Sequence, residues 1–233
     1  MRPLFCAMIA ALVCSMSACA PDYPDDRVVR VVRSLHPSVV LLTMRVPPES
    51  KKNAYDDAYA TGTVIASGNW GSDILTVAHA VDGAWNLHVT VDNKDKYPAR
   101  VIAEDKDLDV ALVRTDKPHL TVAVLGSSRH LDDELGREVG VLGYPIPDEF
   151  EDEQLGLATS LATGRLSSLR RGALEVTPVI VPGESGGPVF LLDTGEIVGV
   201  AESRFDDEHS IGFALPIDDA KAFLRKHDAQ DGF

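Results

Sequence analysis

No cysteine occurs after residue 19 of this 233-residue sequence, and the three cysteines are Cys6, Cys14 and Cys19. The folded part of the chain therefore cannot contain a disulfide, and its stability must come from an apolar core. Basic residues are also scarce, since 22 Lys and Arg stand against 36 Asp and Glu and give a formal net charge of −14. This charge argues against nucleic acid as a partner, because binding to phosphates requires clustered Lys and Arg.

Long apolar runs are absent beyond the N-terminus, so no later segment is predicted to span a membrane. The apolar stretch at residues 4–16 follows Arg2 and precedes small residues, which is the pattern of an export signal. The word "MSAC" resembles the bacterial lipobox, with Met16 where Leu is usual. Cys19 would then become the lipid-modified first residue of the mature chain. The alternative is that Cys19 is a buried apolar residue of an uncleaved signal.

A lipid on Cys19 predicts an exported protein that is anchored to a bacterial membrane and faces the periplasm. Ala20 rather than Asp follows the cysteine, which under the sorting rule of enteric bacteria favours the outer membrane. The sequence thus divides into a signal at 1–18, a Pro- and Asp-rich tether at 19–26 and a folded domain at 27–228.

The folded domain is predicted to consist almost entirely of strands. "DRVVRVVRSLHP" has apolar residues at helical spacing behind an Asp and before a Pro, which predicts one short N-terminal helix. From "PSVVLLTM" onward, short β-branched runs alternate with turn residues. The runs of the first half are "TGTVIAS", "DILTVAHAV", "LHVTV", "YPARVIAE", "DVALVRT" and "VAVLG". Those of the second half are "EVGVLGYP", "LATSLATGRLSSL", "ALEVTPVIV", "PVFLL", "EIVGVAES" and "IGFALP".

Two halves of six strands predict an all-β fold of two antiparallel β-barrels. The first barrel is expected at about 36–125 and the second at about 139–217, with the polar crossover "GSSRHLDDELG" between them. "IDDAKAFLRKHDA" predicts a C-terminal helix at about 217–228 that begins with aspartate caps and packs on the second barrel.

Three polar residues stand out against the apolar runs. Ser185 lies in "VPGESGGPVF", where Gly and Pro on both sides are also compatible with a plain turn. His79 ends an apolar strand, and Asp109 directly precedes the apolar run "VALV". A nucleophilic serine needs a base, and that base needs an anion to orient it, so these three could act together if the fold joins them. Asp105 and Asp107 belong to the approach turn and are expected to be solvated.

The order of these residues and the words around them resemble the chymotrypsin-fold serine proteases, and among those the Deg/HtrA group. The words "HPSVVLL", "TGTVI", "ILTVAHAV", "DKDLDVALV", "VLGYP", "PGESGGPVF", "IVGV" and "IGFALPI" occur in that group's order over about residues 36–217. The resemblance implies a peptide hydrolase acting on polypeptide substrates, with no metal or organic cofactor. It also implies that His79 is the general base, Asp109 the orienting acid and Ser185 the nucleophile. The N–H groups of Gly183 and Ser185 would form the oxyanion hole.

Two departures from the group limit what the resemblance implies. The sequence ends about one helix after "IGFALPI", which leaves no room for a PDZ domain, so regulation by such a domain is not expected. Glu184 stands where that group commonly has Asn, beside the expected oxyanion hole. We expect its carboxylate to form a hydrogen bond elsewhere. Glu184 also favours the alternative function, a catalytically silent binding module held at the envelope by its lipid.

Four residues fall where the resemblance implies the primary specificity pocket. Val179 lies six residues before Ser185, where trypsin-like relatives place an Asp that pairs with Lys or Arg. Ala201 lies near the position of a His in glutamate-specific relatives, and Glu202 adds a charge next to it. Phe213 is expected to narrow the pocket. Since a buried charged side chain would lack a partner, we expect cleavage after small or medium aliphatic residues.

Overall fold

The structure is a computed structural model that describes residues 27–48, 54–202 and 211–227. The predicted signal, Cys19 and the tether lie outside these residues, so the lipid anchor stays a prediction. Within the described ranges, no helix has the length and apolar character needed to cross a bilayer.

Two closed antiparallel β-barrels of six strands each make up the fold, as the sequence predicted. The strands of the first barrel are β1 (Val39–Val46), β2 (Asp56–Gly68), β3 (Gly71–Thr76), β4 (Trp85–Val91), β5 (Asp95–Asp105) and β6 (Val110–Thr115). Those of the second are β7 (Glu138–Gly143), β8 (Ser160–Arg170), β9 (Ala173–Val176), β10 (Pro188–Leu191), β11 (Ile197–Glu202) and β12 (Gly212–Pro216). Neighbouring strands run in the order β1-β2-β3-β6-β5-β4 in the first barrel and β10-β11-β12-β9-β8-β7 in the second.

The helices of the described chain are few and short. They are α1 (Arg27–Leu35), α2 (Ala78–Val81), α3 (Pro147–Asp152) and α4 (Ile217–Lys226), with 3-10 turns at His36–Ser38 and Leu131–Glu134. The predicted aspartate caps of α4 are wrong, because the helix begins after Pro216, which has no side-chain acceptor. Asp218 instead accepts hydrogen bonds from Ser127 Oγ and Ser128 N, both at 2.8 Å, and so ties α4 to the crossover.

The predicted strand "VAVLG" is also wrong, since the sixth strand of the first barrel is β1. In this segment only Leu125 forms a bridge, to Ile197 of the second barrel. The N–H of Ala123 donates to Val64 O of the first barrel at 2.9 Å, and the N–H of Gly126 donates to Ile197 O at 2.9 Å. The segment therefore joins the two barrels and belongs to neither ladder.

Strand alternation sends side chains both into each barrel and into the seam between the barrels. In β6, Val110 and Leu112 join the cluster that fills the seam, whereas Ala111 and Val113 lie inside the first barrel. The seam cluster also contains residues of the second barrel and of α4, among them Phe190, Val200, Leu215 and Phe223. The ends of β3 and β6 are thereby held against the second barrel.

Candidate active site

His79 lies just after β3, in the helical turn α2, rather than in the strand itself. Its ring Nδ1 is 2.7 Å from Asp109 Oδ2, and its backbone N–H donates to Asp109 Oδ1 at 2.8 Å. Both oxygens of one carboxylate therefore bond to the same residue. Because a carboxylate only accepts, the proton of a neutral ring is held on Nδ1 and Nε2 is left as an acceptor.

Asp109 is presented by a tight turn immediately before β6. Its φ of +55° lies in the left-handed region, which Asp tolerates better than most residues. Asp105 shapes this turn, since its Oδ1 accepts the N–H groups of Asp107 at 3.1 Å and Leu108 at 3.0 Å. The expectation that Asp105 is merely solvated was therefore incomplete, because its side chain helps to turn the chain into Asp109.

Ser185 lies in a loop that two glycines of positive φ make possible. Gly183 has φ +91° and Gly186 has φ +88°. A Cβ on Gly183 would lie 2.3 Å from Tyr144 O, and a Cβ on Gly186 would lie 2.2 Å from a backbone oxygen of β2. Both contacts are too short, so no other residue fits either position. Among the described residues, no backbone carbonyl accepts the N–H of Gly183 or of Ser185.

The Ser185 loop contacts the strand end from which His79 follows. A Cβ on Gly186 would lie 3.1 Å from the Cα of Thr76, the last residue of β3. Three residues further along the chain is His79. The fold thus brings the Ser185 loop of the second barrel beside the His79 and Asp109 pair of the first barrel.

Glu184 is buried and forms the hydrogen bond elsewhere that the sequence led us to expect. Its Oε2 accepts the N–H of Val181 at 3.0 Å, and its own N–H donates to Val181 O at 3.1 Å. Burial raises the pKa of the Glu184 carboxyl, and the Val181 N–H offsets part of that rise. The side chain thereby closes the turn that precedes Ser185.

The four candidate pocket residues lie in two adjoining pieces of the second barrel. Strands β11 and β12 pair Glu202 with Phe213, directly after Ala201. A Cβ on Gly212 would lie 2.2 Å from the carbonyl oxygen of the residue before Val179, so that segment packs against β12 next to Phe213. Ala201 and Glu202 are buried, Phe213 is partly buried and Val179 is 43% exposed.

One residue of the site was not singled out from the sequence. Thr61 of β2 donates from its N–H to Ser185 O at 2.9 Å and from its hydroxyl to Gly183 O at 2.7 Å. Its only sequence signal was its place in the word "TGTVI", which assigns it no role.

The chain is similar to known proteins whose names describe serine proteases. The chain is 29% identical over 187 residues to "Probable periplasmic serine endoprotease DegP-like" of Halomonas elongata, which covers 75% of this chain and 36% of that protein. It is 29% identical over 175 residues to "Serine protease Do-like HtrA" of Bacillus subtilis, which covers 69% of this chain and 37% of that protein. The chain therefore spans less than half of the length of these relatives.

Solved structures share the fold. Two structures of the HtrA-type protease AlgW with tripeptide, one of them a variant, superpose with TM-scores of 0.71 and 0.69 at 19% and 20% identity. Each match covers 85% of this chain and 62% of that protein. The model of the trypsin-like peptidase domain matches residues 60–200, more than half of the sequence. The chain belongs to the trypsin-like peptidase domain family.

Proposed function

We propose that the chain is a serine endopeptidase of the Deg/HtrA type that cleaves peptide bonds through an acyl-enzyme on Ser185. The observation that carries this proposal is the His79 and Asp109 pair, in which one carboxylate holds both the ring and the backbone of the histidine. That arrangement leaves Nε2 of His79 as the base for a serine presented from the facing loop.

In the first half of the reaction, Ser185 Oγ attacks the carbonyl carbon of the substrate and His79 Nε2 takes the hydroxyl proton. Asp109 stabilises the imidazolium that results. His79 then gives the proton to the leaving amine as the peptide bond breaks, and the acyl group stays on Ser185. Water repeats the same steps and releases the second product.

The negative charge of the tetrahedral intermediate would be bound by the N–H groups of Gly183 and Ser185. Neither donates to a backbone carbonyl of the described chain, so both are available to an oxyanion. One such donor is typically worth about 3 kcal/mol of transition-state stabilisation.

The proposed substrates are polypeptides cleaved after small or medium aliphatic residues. Val179 and Ala201 offer no charge to pair with a basic or an acidic side chain, and Phe213 lies next to them. Because one methylene changes pocket binding by only about 1 to 3 kcal/mol, the preference is expected to be graded. Profiling of a mixed peptide library should show Val, Ala or Ile before the cleaved bond. A dominant Lys, Arg or Glu there would contradict the pocket assignment. Lys and Arg are the most stringent test, because the nearby Glu202 has the charge that would attract them.

The proposed location is the bacterial envelope, with the mature chain anchored through an acylated Cys19 and facing the periplasm. The lipobox-like "MSAC" supports this, and the name of the Halomonas relative includes the word periplasmic. Ala20 favours the outer membrane over the inner one.

Labelling with a fluorophosphonate probe tests the catalytic proposal directly. Wild type should be labelled and Ser185→Ala should not, whereas Ser34→Ala, which removes an exposed serine of α1, should label like wild type. The same three proteins are then assayed for peptide hydrolysis. Absence of labelling in wild type would overturn the proposal and favour the catalytically silent binding module.

A further inference from the structure

The carbonyl groups of residues 182–185 all accept hydrogen bonds. Pro182 O accepts the N–H of Ile146 at 2.8 Å, and Glu184 O accepts the N–H of Gly187 at 2.9 Å. The remaining two carbonyls, of Gly183 and Ser185, both bond to Thr61. In a trans peptide plane the C=O of one residue points opposite to the N–H of the next, so the bonds of Pro182 O and Glu184 O direct the N–H groups of Gly183 and Ser185 away from these partners.

Thr61 is the link between the first barrel and this loop of the second barrel. It is fully buried in β2, where it pairs with Leu41 of β1. Its own carbonyl accepts the hydroxyl of Thr76 at 2.8 Å, and Thr76 ends the strand that leads to His79. The backbone that positions the base and the loop that carries the nucleophile therefore share this one residue.

The Thr61 hydroxyl has two hydrogen-bond partners, and together they determine where its proton points. The N–H of Tyr144 donates to Thr61 Oγ1 at 3.0 Å, so the hydroxyl oxygen already accepts one bond. Its proton is then directed to Gly183 O, which lies 2.7 Å away. The side chain thus connects two segments of the second barrel to the first barrel.

We propose that Thr61 is a positioning residue for the oxyanion hole: its hydroxyl fixes the peptide plane between Gly183 and Glu184, which lies between the planes that carry the N–H groups of Gly183 and Ser185. This inference rests on the proposed function. Thr61 does not contact the reacting atoms in this role, and its loss slows the chemical step without weakening ground-state binding.

Thr61→Val tests the proposal because it keeps the shape and both branches but removes the hydroxyl. Loss of one oxyanion donor lowers kcat by about 100- to 1000-fold, and loosening the loop that carries two donors should cost part of that, about tenfold or more. KM of a peptide substrate should stay within about twofold, since uniform binding is not altered. The affinity of a peptide boronate, which forms a tetrahedral adduct on Ser185, should fall in parallel with kcat.

Thr115→Val is the matched control. Thr115 is also buried in the first barrel, donates from its hydroxyl to Pro98 O at 2.8 Å and accepts the N–H of Lys117 at 3.4 Å. It lies at the far end of β6 from Asp109. Both Val variants should lower the melting temperature, but only Thr61→Val should lower kcat and boronate affinity. Thr61→Ser, which keeps the hydroxyl, should restore kcat to near the wild-type value.

Equal kcat in wild type and Thr61→Val, or equal losses in Thr61→Val and Thr115→Val, would overturn the proposal. If Thr61→Val does not fold, Thr61→Ser and Thr61→Ala replace the comparison, because they differ only by the hydroxyl. Equal kcat in that pair would also overturn it. A failure of the proposed function gives a different result from a failure of this inference, because wild type itself would then show neither hydrolysis nor boronate binding.

Discussion

Replacement of Asp109 by Asn should remove catalysis by holding His79 in the wrong tautomer. In the native site, one carboxylate oxygen accepts the backbone N–H of His79 at 2.8 Å and the other faces ring Nδ1 at 2.7 Å. The backbone N–H can only donate, so the amide oxygen of Asn must take the first position. Its NH₂ group then faces Nδ1 and donates to it. The ring proton moves to Nε2, and His79 can no longer accept the proton of Ser185.

The expected loss is about 10⁴-fold in kcat, which is the cost of a histidine base held in this tautomer. It corresponds to about 5 kcal/mol of transition-state stabilisation. The fold should persist, because the substitution keeps the shape of the side chain and its bond to the His79 backbone. Circular dichroism and the melting temperature check this point.

The assay is steady-state hydrolysis of a peptide with an aliphatic residue before the cleaved bond. Asp105→Asn is the matched control, since Asp105 makes the same type of backbone hydrogen bonds in the same turn and an Asn oxygen can accept them. Its kcat should equal that of wild type. A loss smaller than about tenfold in correctly folded Asp109→Asn would refute the assignment of Asp109 as the orienting acid.

Three further predictions concern stability and processing. Arg114→Met should lower the free energy of unfolding, measured in urea, by about 3 to 5 kcal/mol. Asp73 is 0% exposed and bonded to Arg114 at 2.8 Å, so the substitution leaves it as an uncompensated buried charge. An unchanged unfolding midpoint would contradict this prediction. Glu184→Gln should raise the melting temperature at neutral pH, because burial raises the pKa of Glu184 and the folded state binds its proton at pH values where the unfolded chain has lost it. The gain should shrink as the pH falls toward the ordinary value of 4.5, and a less stable Gln variant at neutral pH would be the opposite result. Cys19→Ser should release the protein from membranes or block its processing, and an unmodified N-terminus in the intact mass of the wild-type membrane fraction would exclude the lipid.

Local pattern was sufficient to predict most strands and the candidate chemistry. Alternation of apolar residues between turn residues predicted two barrels of six strands, because strand pairing in short hairpins depends on neighbouring sequence. The short words around His79, Asp109 and Ser185 predicted candidate residues, of which the structure joins His79 to Asp109 and places the Ser185 loop against the end of β3. The same local pattern was misleading at "VAVLG", where the backbone of Ala123 bonds to the first barrel, that of Gly126 bonds to the second, and the segment enters no ladder.

What only the tertiary structure decided is how backbone groups distant in sequence meet. Thr61 and Gly183 are 122 positions apart, and a hydrogen bond from a common threonine to a carbonyl leaves no mark in either local sequence. The turn closed by Glu184 and Val181 likewise required the loop geometry, since the sequence predicted a hydrogen bond but not its donor. Residue type and local spacing therefore predicted which groups are candidates for the chemistry. The packing of the two barrels against each other determined which of these groups are held in place, because a buried carbonyl bonds to whichever donor the fold brings near it.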